Sequence, residues 1–200
     1  MHLTVLFRAA LASAVMVAGI PAAAQSALAS GPAVTDADIR FMQEMLGHHQ
    51  QAIEMTALVQ ARSRRADLLL LAERISVSQT DEMAQMRRWL KGQGVGADTA
   101  MSHDMGRHAG HTMGSDSTPM MPGMLTPTQM LALRRATGSR FDRLFLEGMV
   151  QHHGGALTMV KALLVVPGAA QESAINHFVT EVDADQRAEI ARMRRLLSRR

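Results

Sequence analysis

Residues 45–55 of the chain read MLGHHQQAIEM, and residues 149–159 read MVQHHGGALTM, 104 positions later. A chain that repeats itself in this way is constrained to fold as two copies of one unit. At the same offset Thr35 meets Ser139, Asp38 meets Asp142, Phe41 meets Phe145 and Met45 meets Met149. His48 and His49 meet His152 and His153, Ala52 meets Ala156, and Met55 meets Met159. A second block matches at an offset of 107: QTDEMAQMRRWL, Gln79 to Leu90, against QRAEIARMRRLL, Gln186 to Leu197. Its pattern is Q-x-x-E-[MI]-x-x-M-R-R-[WL]-L. The extra residues fit a longer turn near VVPGAAQES in the second half.

Each copy reads as a helix hairpin. Thr35-x-x-Asp38 and Ser139-x-x-Asp142 have capping-box spacing, with Asp in place of the usual Glu. Phe41, Met45, His48, Ala52 and Met55 step by three or four and so share one face of a helix. Of two adjacent histidines, about 100° apart on that helix, one is expected to look inward and one to sit at the flank. Arg62–Ala66 is the expected first turn, and Pro167-Gly168 breaks the second hairpin. With aromatics at 3%, one Trp and no Tyr, the core is built from Leu, Val, Ala and Met, and no turn-rich β-branched pattern is present. The fold class is therefore all-α, a four-helix bundle made of two duplicated hairpins in up-down order. The long middle connection leaves open whether the halves pack antiparallel or cross over.

The hairpins occupy 25–91 and 126–200. Between them, 92–125 is Gly-, Ser-, Asp-, His- and Met-rich without an apolar period, and reads as a flexible linker. Thr126 as N-cap, Pro127 at the first helical position, Gln129 at the box position and Gly138 after the end predict a short helix that leads into the second hairpin. Residues 1–24 read as a cleaved signal peptide. Arg8 precedes an apolar run from Ala9 to Ile20, and Ala22-Ala23-Ala24 offers small residues for cleavage. No later segment is long and apolar enough to span a bilayer. The expected location is periplasmic or secreted. The net charge of +3 and the arginines of RAEIARMRRLLSRR read as a solvated helix end, not a nucleic-acid surface.

The chain has no Cys, so soft-metal chemistry must use thioether sulfur and imidazole nitrogen. Taken singly, Met45, Met55, Met149 and Met159 read as core filler, as do Met83, Met86 and Met193. The paired histidines change that reading. Two imidazoles buried on each helix cost free energy unless each finds a partner. Met45 lies one turn before His48 and His49, within side-chain reach. Such a donor set favours Cu(I), with Cu(II) allowed, and disfavours calcium and magnesium, which take oxygen. Core filling cannot account for Met101, Met105, Met113, Met120, Met121 and Met124 in the linker, interleaved with His103, His108 and His111. That strip is expected to capture a soft ion.

FMQEMLGHHQQAIEM, FDRLFLEGMVQHHGGALTM and the two M-R-R-[WL]-L helix ends resemble the domain of unknown function 305 family. These are ferritin-like helical proteins that include CopM-type periplasmic copper-binding members. The resemblance covers almost everything after residue 24 and implies a ferritin-like four-helix bundle, export, and copper binding or tolerance. By matching positions it implies Met45, His48, His49 and Met55, with Met149, His152, His153 and Met159, as ligands. One departure is local: where the family usually has Gln before Gly-Ala in the second block, this chain reads His153-Gly154-Gly155-Ala156. Two glycines weaken a helix and allow close backbone approach.

The function expected from these readings is a non-enzymatic exported protein that buffers, sequesters or transfers copper ions, with a copper transporter or oxidase as recipient. The alternative is a structural or pH-responsive module in which the four histidines pair with Asp38 and Asp142 and no metal binds. A ferritin-like metal oxidase is disfavoured, because neither repeat has Glu-x-x-His, and Glu44 and Glu147 are not equivalent positions. No hydrolase triad or nucleophile elbow is present. Oligomeric state is not readable from the sequence.

Overall fold

The computed structural model describes residues 31–96 and 120–198. The signal-peptide reading lies outside the described residues. The described chain is all-α: α1 (Asp36–Ala57), a single turn α2 (Val59–Arg62), α3 (Ala66–Gly92), α4 (Pro127–Arg135), α5 (Gly138–Leu164) and α6 (Ser173–Ser198). No helix among the described residues is long and apolar enough to cross a membrane.

Local chemistry sets the ends. Thr35 caps α1 through the expected box: its hydroxyl accepts from Asp38 N at 3.2 Å, and its N–H donates to Asp38 Oδ2 at 2.8 Å. Asp38 Oδ1 also accepts the Ala170 N–H at 2.7 Å, which pins the start of α1 to the α5–α6 turn. Thr126 and Gln129 form the second box, with Pro127 opening α4. The third expected box is absent. α5 begins at Gly138 behind Thr137, with no side-chain cap, so Ser139 is already helical. Gly138, at φ +57°, lets the chain reverse sharply out of α4, and that turn moves the helix start ahead of Ser139.

Two apolar clusters fill the bundle. One holds Ala52, Met55, Leu68, Ile75, Phe141, Met149, Ile190 and Met193. The other holds Phe41, Met45, Met83, Met86, Ala156, Met159, Phe178 and Val182. Reading each helix from one cluster to the other gives its direction. α1 and α6 run from the second cluster to the first, and α3 and α5 run from the first to the second. α1 and α5 are therefore antiparallel, and the connection from α3 to α5 crosses the length of the bundle. This single crossover is the ferritin-like arrangement. At the level between the clusters every long helix turns polar: His48 and His49 on α1, Gln79 on α3, His152 and His153 on α5, Gln186 on α6, all buried.

The crossover ends as a strap against the bundle, although it falls within the stretch expected to be flexible. Leu125 is buried and bonded both ways to Gln51: its N–H donates to Oε1 at 2.7 Å, and its carbonyl accepts from Nε2 at 3.0 Å. Gln151 Nε2 lies 3.3 Å from the carbonyls of Gly123 and Met124. Room for this strap comes from glycine. A Cβ on Gly155 would stand 1.9 Å from the Pro122 oxygen, whereas one on Gly154 would meet nothing within 4 Å. The repeat breaks at these places, for Gly148 and Gly155 stand where the first copy has Glu44 and Gln51.

Candidate metal centre

All four histidines of the repeated motif are fully buried, at 0% exposure. The expectation that one of each pair would sit at the flank is overturned. α5 covers His48 and the α3 side chain of Glu82 covers His49, so the bundle closes over both directions. His48 and His152 meet where α1 and α5 cross, with ring centroids 3.9 Å apart. His49 and His153 point away from that contact to the outer helices. His49 Nε2 lies 2.5 Å from Glu82 Oε2, and His153 Nε2 lies 2.5 Å from Glu189 Oε2. Glu82 and Glu189 are the glutamates of the Q-x-x-E pattern, so both contacts are the same contact made twice.

The inner pair bonds to backbone. His48 Nε2–H donates to the Pro122 carbonyl at 2.9 Å, and His152 Nε2–H donates to the His48 carbonyl at 2.9 Å. A carbonyl only accepts, so these rings carry a proton on Nε2. Burial pushes the His48 imidazole down to about 4, against the opposing pull of the Pro122 carbonyl. Burial first, then the neighbouring imidazoles, drives His152 well below its ordinary value. Both rings are therefore neutral at pH 7, and their Nδ1 atoms are bare lone pairs. The Nδ1 atoms of all four histidines are buried without a hydrogen-bond partner, as are both amide atoms of Gln79 and the Oε1 of Gln186.

Such atoms are costly. Each unsatisfied buried group costs about 1–3 kcal/mol. Four imidazole nitrogens would then forgo about 4–12 kcal/mol, comparable with the entire stability of a typical domain, about 5–15 kcal/mol. A neutral imidazole with Nε2 engaged and Nδ1 bare is the form in which histidine binds a metal. The donor set fits a soft or borderline cation.

The methionines are distributed in pairs. Met45 and Met159 lie in one apolar cluster and Met55 and Met149 in the other, so thioethers flank the histidine layer on both sides. Met121 packs at the edge of the second cluster, Met124 is half-buried, and Met120 is exposed. Met101, His103, Met105, His108, His111 and Met113 lie outside the described residues. Among the described residues no three His, Asp or Glu side chains come together as a ready-made cation site. Asp38 and Asp142, the partners expected in the pH-responsive alternative, do not bond the histidines; Asp38 is taken up by the cap and Ala170, and the Oδ1 of Asp142 is buried without a partner. Glu44 and Glu147 are exposed, away from any di-iron geometry.

Outside the histidine layer, α3 and α6 form a mainly acidic groove, with Asp81, Glu82, Glu181 and Asp185 in its lining beside Ser78 and, among the described residues, a single cation, Arg88. The Asp185 carboxyl is pushed up by desolvation, then by Glu82, Glu189 and Glu181.

Residues 38–197 match the domain of unknown function family DUF305. The chain belongs to this family. A DUF305 fragment from Deinococcus radiodurans is 27% identical, with 84% of this chain and 100% of that one covered at a TM-score of 0.69. A DUF305 protein from Streptomyces coelicolor is 26% identical, with 81% and 92% covered and a TM-score of 0.66. CopM in its Cu(II)-bound form shares the fold at 24% identity, with 80% and 95% covered and a TM-score of 0.58. No curated protein matches the chain.

Proposed function

We propose that this DUF305 protein is an exported copper-binding protein that buffers, sequesters or transfers copper ions through its histidine layer and the flanking methionines. The observation that carries the reading is the set of four buried Nδ1 atoms without partners, two in each repeat. A module held together only by packing and hydrogen bonds gains nothing from leaving them bare. CopM, which has this fold, is known in Cu(I)-, Cu(II)- and silver-bound forms, and a thioether–imidazole donor set suits the same soft ions. The protein acts by holding and releasing the ion, not by catalysis, and a copper transporter or oxidase is the recipient in the transfer mode. Met101, His103, Met105, His108, His111 and Met113, from the Met/His-rich stretch between the repeats, add further donors for capture.

The test is equilibrium dialysis against Cu(I), kept reduced, and against Cu(II), followed by elemental analysis. Wild-type protein is expected to retain copper at a fixed stoichiometry. Replacing His48, His49, His152 and His153 with Ala is expected to lower it. Equal retention by both proteins sinks the assignment of the site.

A further inference from the structure

The two histidines of each motif have their Nε2 protons fixed by different means. For His48 and His152 the acceptor is a backbone carbonyl. For His49 and His153 it is a side chain, Glu82 or Glu189. These glutamates sit mostly under the surface, 13% and 17% exposed, between the imidazole and solvent. Ser78 Oγ–H donates to Glu82 Oε1 at 3.0 Å, which leaves Oε2 aimed at His49. Glu82 also lines the acidic groove between α3 and α6.

We propose that Glu82 and Glu189 are positioning residues for the metal centre: each holds the proton of its histidine on Nε2 and so commits Nδ1 of His49 and His153 to the metal. The inference rests on the copper reading for its metal half alone. A neutral imidazole can carry its proton on either nitrogen, and the hydrogen bond made by one nitrogen decides which is free. An ionised carboxylate accepts and cannot donate, so it selects the Nε2–H form. Putting a proton on Nδ1 instead would bury a donor with no acceptor, since nothing bonds that atom in either ring. The carboxylate also raises the basicity of the ligand nitrogen, as carboxylate–histidine pairs do at metal sites. Because the arrangement occurs at both Q-x-x-E glutamates, it belongs to the repeated unit and not to one accidental contact.

The experiment compares wild type with the double variant Glu82→Leu, Glu189→Leu. Leu keeps roughly the volume but offers no acceptor, so nothing holds the proton on Nε2 in preference to Nδ1. Long-range proton–nitrogen NMR on the metal-free, nitrogen-labelled protein reads the proton position ring by ring. In wild type all four histidines are expected to carry it on Nε2. In the variant His49 and His153 are expected to gain the Nδ1–H form, while His48 and His152, bonded to carbonyls, stay unchanged as internal controls. Copper affinity, measured by competition with a chromophoric chelator, is expected to weaken about 10–100-fold. Protons on Nδ1 of His49 and His153 in metal-free wild type overturn the proposal even if the variant does not fold. Unchanged copper affinity in a folded variant overturns it as well. Wild type that shows the expected proton pattern but takes up no copper overturns the copper reading, and with it the metal half of the proposal.

Discussion

Two adjacent glycines on α5 are expected to respond to the same substitution in opposite directions. Gly154 faces open space, and Gly155 lies under the strap. Gly154→Ala therefore changes only helix propensity and should stabilise by about 0.5–1 kcal/mol. Gly155→Ala gains the same amount but places a methyl 1.9 Å from the Pro122 oxygen and 2.6 Å from the Gly123 Cα. Both obstacles are backbone, so the strap must lift. Lifting it breaks the His48–Pro122 bond and the two Gln51–Leu125 bonds. At about 1 kcal/mol each, these amount to about 3 kcal/mol. Leu125 also loses part of its burial, for which about 1.5–3 kcal/mol is the full value. Less the helix gain, the net loss is about 2–5.5 kcal/mol, the upper end applying if the strap detaches completely. For a chain of this size that lowers Tm by roughly 4–22 °C, while Gly154→Ala raises it by roughly 1–4 °C. Thermal denaturation followed by circular dichroism separates the two. Limited proteolysis of Gly155→Ala should show new cleavage near residues 120–125. Equal shifts of the same sign in the two variants would refute the claim that the strap is seated on α5 by the absence of a side chain.

The low-lying His48 imidazole makes stability depend on pH. Its folded value, about 4, lies below the ordinary 6.5, so the unfolded chain binds more protons between these values. Stability present above pH 6.5 is then lost as pH falls toward 4, by about 3 kcal/mol for this group at about 1.4 kcal/mol per unit. His152 acts in the same direction. Urea unfolding across that range should show the slope, and His48→Gln should flatten it; identical slopes would remove His48 as the cause. Asp38→Ala should cost about 2–4 kcal/mol in the same assay, since it removes the carboxylate half of the α1 capping box and leaves the buried Ala170 N–H without an acceptor. A loss under about 0.5 kcal/mol would mean the turn finds another partner. Replacing residues 100–119 with a Gly/Ser linker of equal length should lower copper stoichiometry by elemental analysis and leave Tm unchanged. Extending the replacement through Met124 should lower both, and an unchanged Tm there would again count against the strap.

The helices and their pairing could be read from the sequence because they depend on local chemistry and on duplication. Thr35 with Asp38, and Thr126 with Pro127 and Gln129, mark helix starts through contacts three residues apart, and those starts are where the structure puts them. Ser139 carried the same local signal and was overridden by Gly138, whose left-handed backbone is a property of the turn between α4 and α5. The direction of the crossover could not be read, because it depends on which ends of the clusters α3 and α5 occupy, and no local pattern reports that. The strap was hidden for a related reason. Pro122, Gly123 and Leu125 look like linker residues until Gly155 and Gln51, distant in sequence, supply the groove and the hydrogen bonds. The histidines are visible as donors, but two of their partners, Glu82 and Glu189, lie on other helices more than thirty residues away. Gln79 shares a helix face with Met83, Met86 and Leu90, a polar residue on an apolar stripe, and Gln186 repeats it. A polar residue kept at a core position in both copies signals a polar layer within the core. Following that signal one turn further along each helix leads to Glu82 and Glu189. Duplication therefore carries more than the fold. It separates residues that recur because they fill space from residues that recur, at a cost in stability, because the layer they form has a use.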